Sequence, residues 1–272
     1  MALHDFLVVL DELAASSLAE AWDNVGLMVG DPTQIVSGVL IALDPTEAVL
    51  DEALERGLNT IVTHHPLIFQ ALKAVRVDQP LGRVLAKAIT HGLAVIGCHT
   101  NLDKVDGGVS EALAVGLGLI EITPLLVETG AAAGQGHVPG FGRHGRFPVP
   151  KSKAVFLKDL AAALELEVIA VVGHLPERIS TVAVCGGSGS DLAESARAAG
   201  VQVYITGEVK HSTARWAEAC DFCIIDAGHY ASENPVVPAL AAVLQKTGAV
   251  RGWGIDIVAT ARQRNPVALY RP

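Results

Sequence analysis

The sequence predicts an α/β fold: two α/β domains built from related βαβ units. Three observations lead there. Of 272 residues, 50% are hydrophobic but only 4% aromatic, so the core must come from Ala, Val, Leu and Ile, as where helices pack on buried parallel strands. Short apolar runs alternate with helical stretches: Val39 to Leu43, a helix over 45–56, Gly57 as its stop, then Thr60 to Thr63. The unit then recurs at a constant offset of 143 positions, with Val39-Leu40-Ile41 falling on Val182-Ala183-Val184, Gly57 on Gly200, and Ile61-Val62-Thr63 on Tyr204-Ile205-Thr206.

Residues 3–21 open the chain with Leu3, Phe6, Leu7, Leu10 and Leu13 at helical spacing, and the turn-rich Trp22-Asp23-Asn24-Val25-Gly26 reads as a loop. After the first βαβ unit come a helix over 80–91, a third strand at Ala94 to Cys98 and a helix over 108–116. Residues 128–152 differ, holding Gly130, Gly134, Gly136, Gly140, Gly142 and Gly145 with Pro139, Pro148 and Pro150; this composition marks a long shaped loop or a domain boundary. A helix over 152–164, a short strand over 168–172 and a strand over 181–185 lead into the second βαβ unit, whose third strand is Phe222-Cys223-Ile224-Ile225.

Charge narrows the partners. With 29 acidic against 20 basic residues and a net charge of -9, no broad cationic face is offered to nucleic acid or an anionic membrane. No run reaches the roughly 18–20 apolar residues of a membrane helix, and His4, Asp5, Asp11 and Glu12 fit no signal peptide. Cys98, Cys185, Cys220 and Cys223 lie in or beside apolar runs and read as reduced thiols of a cytoplasmic protein, the Cys220-x-x-Cys223 pair as packing. Gly140-Phe141-Gly142-Arg143-His144-Gly145 matches a dinucleotide fingerprint, but Pro139 precedes it and Phe147-Pro148-Val149-Pro150 follows where a helix must begin. The run Cys185-Gly186-Gly187-Ser188-Gly189-Ser190 lacks a Gly-Lys-Ser/Thr ending and reads as a tight turn, and no serine-hydrolase elbow appears.

Strand C-termini are where an open α/β sheet presents reactive groups. Five histidines fall just beyond such ends: His64 and His65, His99, His211 and His229. His64 and His65 are adjacent, and Pro66 ends their strand, so two imidazoles can serve two neighbouring ions. Asp103 lies four residues after His99, and Glu233 four after His229 at the start of a helix that Ser232 can cap. Imidazole with carboxylate and no thiolate suits zinc, iron, manganese or nickel. Four imidazoles and two carboxylates exceed the needs of one ion, which points to two divalent ions per chain. The division expected on this reading assigns 1–126 plus 222–272 to a first α/β domain carrying the metal ligands, and 127–221 to a second.

Trp22-Asp23-Asn24-Val25-Gly26-Leu27, Thr63-His64-His65-Pro66-Leu67-Ile68-Phe69, His99-Thr100-Asn101-Leu102-Asp103, Gly140-Phe141-Gly142-Arg143-x-Gly145, Thr206-Gly207-Glu208 and Gly228-His229-x-x-x-Glu233 occur in this order over nearly the whole chain. Together they resemble the Nif-three-like, or GTP cyclohydrolase 1 type 2 homologue, family. The resemblance implies two α/β domains with a dinuclear metal site in the cleft between them, and a toroidal homohexamer. It also implies metal ligands His64, His65, Asp103, His229 and Glu233, with Glu233 as bridge and His99 close by as a proton carrier or outer partner. Met28 stands where the family often has Gln, and the roughly hundred-residue insert of some members is absent; neither departure touches a ligand.

The expected function is metal-dependent hydrolysis of a small polar or nucleotide-like molecule through metal-activated water, of cyclohydrolase, amidohydrolase or phosphoesterase type. His99, Glu208 or His211 would move the proton. The alternative is a non-catalytic metal-binding toroidal scaffold for protein or nucleic-acid interaction; nucleic acid is disfavoured by the acidic balance.

Overall fold

The computed structural model describes residues 1–128 and 138–270. Its strands are β1 Gly26–Val29, β2 Gly38–Ala42, β3 Thr60–Thr63, β4 Ala94–Gly97, β5 Ile120–Val127, β6 Gly140–Ser152, β7 Ala170–Val172, β8 Arg178–Ser188, β9 Val203–Gly207, β10 Cys223–Asp226 and β11 Asp256–Ala259. The chain divides into two compact units, Met1–Leu102 with Val237–Arg264, and Asp103–Val236 with the residues from Asn265 onward.

The first unit holds a five-stranded sheet in the order β1-β4-β3-β2-β11. Its strands run parallel except β1, which pairs antiparallel with β4 at the edge. Every residue of β2, β3 and β4 is buried, which is why those segments read as continuous rather than alternating apolar runs. Helix Glu47–Glu55 starts where Thr46 Oγ1 accepts from the Val49 amide at 3.3 Å. Its Val49, Leu50 and Ala53 pack with Val84, Leu85 and Ala88 of helix Pro80–Thr90 in one core with Leu40, Ile61 and Val95. Each large side chain so buried contributes about 1.5–3 kcal/mol. The opening helix ends at Leu13, the last of the spaced apolar residues and short of residue 21, and just beyond it Asp11 Oδ1 accepts from the Ser16 amide and hydroxyl at 2.7 Å each. The loop expected after it gives way at Gly26 to β1, with Gly26 at φ +94°.

The second unit holds a six-stranded mixed sheet, β5-β6-β8-β9-β10-β7. Side chains alternate across it: Val182, Val184, Ile205 and Ile225 join Phe147, Phe156 and Leu160 on one face, and Ala183, Tyr204 and Ile224 join Ala217 and Phe222 on the other. Residues 140–152, within the stretch expected as a long shaped loop or a domain boundary, form the long strand β6, paired with both β5 and β8. Its glycines serve close backbone approach, since a Cβ at Gly140 would lie 2.3 Å from Leu126 O and one at Gly145 2.8 Å from Ile120 O. Pro148 and Pro150 fall where the β6–β8 register shifts, between Arg146 and Lys151. Gly130, Gly134 and Gly136 lie outside the described residues.

The repeat is carried in strand register. Leu40 pairs with Ile61 and Thr60 with Ala94 in the first unit, and Ala183 pairs with Tyr204 and Val203 with Cys223 in the second. Because β10 pairs with β9, residues 223–226 belong with the second sheet. The chain therefore divides after Leu102 and before Val237, away from the 126/127 and 221/222 positions expected from sequence. Among the described residues, no helix is long and apolar enough to cross a membrane.

Candidate metal centre

Strand β3 delivers two imidazoles in succession. Past Thr63 the chain stays tied to the end of β2, His64 N donating to Ala42 O at 3.2 Å and His65 N to Leu43 O at 2.8 Å. Thr63 Oγ1 closes the turn by donating to His65 O at 2.7 Å. His64 is 2% exposed. His99 follows β4, its ring centroid 5.1 Å from that of His64 and 5.8 Å from that of His65, while His64 and His65 are 5.0 Å apart. One ligand nitrogen from each of the three lies within 4.8 Å of the others.

The partners of these rings fix their tautomers. Nδ1 of His64 meets Cys98 O at 2.9 Å, Nδ1 of His65 meets Asp44 Oδ1 at 2.7 Å, and Nδ1 of His99 meets Asp23 Oδ1 at 2.8 Å. A carbonyl or carboxylate oxygen only accepts, so each Nδ1 donates. In the neutral ring the lone pair then resides on Nε2, the arrangement that metal-binding histidines use. Burial pushes the His99 pKa down, the neighbouring His64 ring pushes it further, and Asp23 opposes both without reversing them. Asp23 is pulled upward by burial, but hydrogen bonds from Thr100 Oγ1, His99 and the Thr100 amide outweigh that and hold it below its ordinary value.

Asp23 and Asp44 were not among the residues expected from sequence. Asp44 follows β2 as His64 follows β3, so strand-end position was the available signal; Asp23 sits in the Trp-Asp-Asn run with no chemical partner nearby in sequence.

In the second unit, Gly228 at φ +79° turns the chain out of the β10 region into the helical turn His229–Glu233. The four-residue spacing puts both side chains on one face, with His229 Nε2 and Glu233 Oε2 3.0 Å apart. Nδ1 of the same ring lies 3.2 Å from Glu208 Oε1. Ser232 does not cap this helix as expected; lying inside the turn, its Oγ donates back to His229 O at 2.9 Å and accepts from the Gly187 amide at 3.0 Å. Glu233 is 4% exposed, and a Cβ on Gly187 would lie 2.1 Å from its Oε1. Cys185 to Ser188 thus belong to β8 rather than to a tight turn, and Gly186 and Gly187 leave the space that the Glu233 side chain fills.

Other expected residues are placed differently. Asp103 lies in the helical turn Thr100–Lys104, near enough to Cys185 for its charge to raise that thiol's pKa. No metal-capable cluster among the described residues includes Asp103. Glu208 is exposed at φ +54°, unusual for a residue with a Cβ. His211 opens the helix His211–Ala219 on the surface and joins no metal-capable cluster among the described residues. The thiols of Cys98, Cys185 and Cys223 are pushed up to about 12, chiefly by burial, as expected of packing rather than reactive cysteines.

Several relatives carry the name GTP cyclohydrolase 1 type 2 homolog. That of Streptomyces coelicolor is 35% identical over 258 residues, covering 94% of this chain and 90% of that protein; that of Clostridium acetobutylicum is 32% identical over 269 residues, covering 97% of each. The crystal structure of Staphylococcus aureus protein SA1388 superposes with a TM-score of 0.92 at 29% identity and 99% coverage of both chains. A Bacillus cereus protein related to NIF3 matches in fold, with a TM-score of 0.91 at 23% identity and the same coverage. The model of the Duf34/NIF3 (NGG1p interacting factor 3) family matches residues 1–266, and the chain belongs to that family.

Proposed function

We propose that the protein binds two divalent metal ions through His64, His65, Asp103, His229 and Glu233, and acts as a metal-dependent hydrolase on a small polar or nucleotide-like substrate. The observation that carries this reading is the state of the three imidazoles of the first unit. Each has Nδ1 committed to an oxygen acceptor, and their ligand nitrogens lie within 4.8 Å of one another. In the second unit, the Glu233 carboxylate is buried against Gly187 and beside His229, an oxygen donor of the kind that zinc, iron, manganese or nickel accept alongside imidazole. Bound there, such ions would lower the pKa of water and polarise the bond it attacks.

The chain's own groups do the rest. His99, oriented by Asp23 and kept neutral by its surroundings, presents Nε2 to take a proton and return it to a leaving group. Glu208 stands on the Nδ1 side of His229, its Oε1 3.2 Å away, and faces that ring with negative charge. Cyclic amidines, which the relatives' name suggests, amides and phosphate esters are the bonds this equipment suits. The same proposal places the protein in the cytoplasm as a homohexamer.

Elemental analysis of protein purified without added ions tests the reading. Near two equivalents per chain are expected, falling by at least one in Glu233→Ala with the fold retained, together with hydrolysis of a member of a nucleotide, phosphodiester and amide panel. Protein that holds no metal, and whose melting temperature ignores added divalent ions, overturns it. Two equivalents without turnover would favour a metal-stapled scaffold.

A further inference from the structure

Aromatic side chains are scarce in this protein, and Phe6, Phe147, Phe156, Tyr204 and Phe222 are buried. Trp22 and Phe69 are 60% and 46% exposed. A lone exposed aromatic means little, but these two meet each other and a histidine of the candidate site. Ring centroids of Trp22 and Phe69 lie 5.9 Å apart at 65°, those of Trp22 and His99 6.3 Å apart at 77°, and those of Phe69 and His99 6.0 Å apart at 84°. Three mutually steep ring planes make a corner.

The corner is held rigid from behind. Asp23, next to Trp22, is bound by His99 and Thr100. Asn24 Nδ2 donates to Ile68 O, and Ile68 N is held by Met28 Sδ at 3.3 Å, which ties the loop bearing Trp22 to the loop bearing Phe69. Two flat apolar side chains are therefore fixed at the edge of a cluster of imidazole nitrogens.

We propose that Trp22 and Phe69 form a stacking corner that takes the planar ring of the substrate and sets its polar edge toward His99. This rests on the metal-dependent hydrolase reading and narrows it. An unsaturated heterocycle has a face to lay on an aromatic ring and ring nitrogens or oxygens to offer the histidines. An aliphatic amide or a simple phosphodiester has no such face. Trp22 and Phe69 thus act as specificity-determining residues, and the substrate is a ring-bearing molecule.

Binding of inosine and of ribose, the same molecule without its planar part, to the purified protein by calorimetry and ligand-observed NMR tests this without requiring turnover. Trp22→Ala and Phe69→Ala are each expected to weaken inosine binding at least tenfold, about 1.4 kcal/mol. Trp22→Phe, which keeps a ring, should stay within about threefold of wild type, and ribose should bind more weakly than inosine and ignore all three changes. Circular dichroism and melting temperature verify folding; should an alanine variant fail there, Trp22→Phe against Trp22→Leu makes the same comparison. The proposal is overturned if wild-type protein does not bind inosine, if inosine and ribose bind alike, or if the alanine variants bind inosine as wild type does. It is also overturned if Trp22→Ala changes the subunit number while inosine affinity holds, since the corner would then be a contact between copies. Metal content of the same preparations separates the two readings: metal-free protein with Trp22-dependent inosine binding retires the hydrolase and keeps the corner. Metal-loaded, active protein indifferent to Trp22 retires the corner alone.

Discussion

Gly187→Ala should separate the candidate site from the stability of the fold. Gly187 has φ +64°, and a Cβ there would sit 2.1 Å from Glu233 Oε1 and 3.4 Å from His229 Cε1. Real Cβ contacts do not fall below 3.0 Å, so the carboxylate must retreat by at least 0.9 Å, the shortfall from 2.1 Å. The clash falls on Oε1 and the 3.0 Å approach to His229 is made by Oε2 of the same carboxylate, so moving the one oxygen disturbs the placement of the other. The clashing atom is the tip of a side chain, so the extra cost to folding is small, whereas the cost to any ion that Glu233 helps to hold is not. The matched control is Gly57→Ala, at φ +71° with nothing within 4 Å of the added carbon. Both variants pay the left-handed penalty of roughly 1–2 kcal/mol. Urea unfolding of the two should agree within about 1 kcal/mol of each other, while chelator competition shows metal affinity down by about 10–100-fold in Gly187→Ala alone, the usual cost of disturbing a ligand's support. Wild-type metal affinity in Gly187→Ala would refute the reasoning. So would a stability loss several kcal/mol beyond that of Gly57→Ala, which would show Glu233 to be rigid structure rather than a movable ligand.

Asp44→Asn cannot accept from His65 Nδ1 as a charged group and should weaken metal binding by about 10–100-fold in the same competition assay, with little change in melting temperature. Burial raises the pKa of Glu52, but hydrogen bonds from Thr260 and the Ala261 and Arg262 amides, with Arg56 at 2.8 Å, outweigh it and hold the carboxyl below its ordinary 4.5. Its stabilisation is therefore present above that value and lost as pH falls through the lowered folded-state pKa; Glu52→Gln should cost about 1–3 kcal/mol at pH 7, a deficit that denaturant titrations should find shrinking below pH 4.5. Buried Arg143 donates to Gly140 O at 2.7 Å and Gly142 O at 3.0 Å, with Asp106 at 3.3 Å and Glu111 at 3.4 Å, so Arg143→Met should lose about 3–5 kcal/mol by urea unfolding. Native protein treated with a thiol reagent should be modified at half-buried Cys220 well before Cys98, Cys185 or Cys223, mapped by mass spectrometry.

How much of this was legible in the sequence follows from what each element depends on. β2, β3, β9 and β10 are buried strands whose apolar runs need no partner to be recognised. β6 is the reverse case: its glycines and prolines look like loop until β5 and β8 supply close-approaching backbones, and that is information about neighbours. The same holds at the site. His64, His65, His99 and His229 could be found because strand ends are recognisable. Asp23 and Asp44 could not be assigned, because their role is defined by the ring nitrogen each accepts from, 76 and 21 residues away in sequence. His211 shows the limit of position alone: it follows a strand end as the others do, but the helix it opens carries it to the surface.

The repeat explains why the two units bring different donors although their strands share a register. At the offset of 143, buried Thr63 falls on buried Thr206, so the two strand ends are equivalent up to that residue; His64 and His65 then fall on Gly207 and Glu208. A Cβ at Gly207 would lie 2.7 Å from His229 N, so the chain returning from β10 occupies the space where the second unit's counterpart of His64 would project. The imidazole is excluded there, and the histidine comes instead from that returning chain as His229. In both copies of the repeat the third strand is followed by a histidine and, four residues on, a carboxylate, His99 with Asp103 and His229 with Glu233. In the first, the His99 ring turns to Asp23; in the second, the His229 ring lies against its own i+4 carboxylate and Glu208. One βαβ plan therefore yields an imidazole cluster in one copy and a carboxylate-flanked imidazole in the other, and what decides between them is which strand end has room for a side chain.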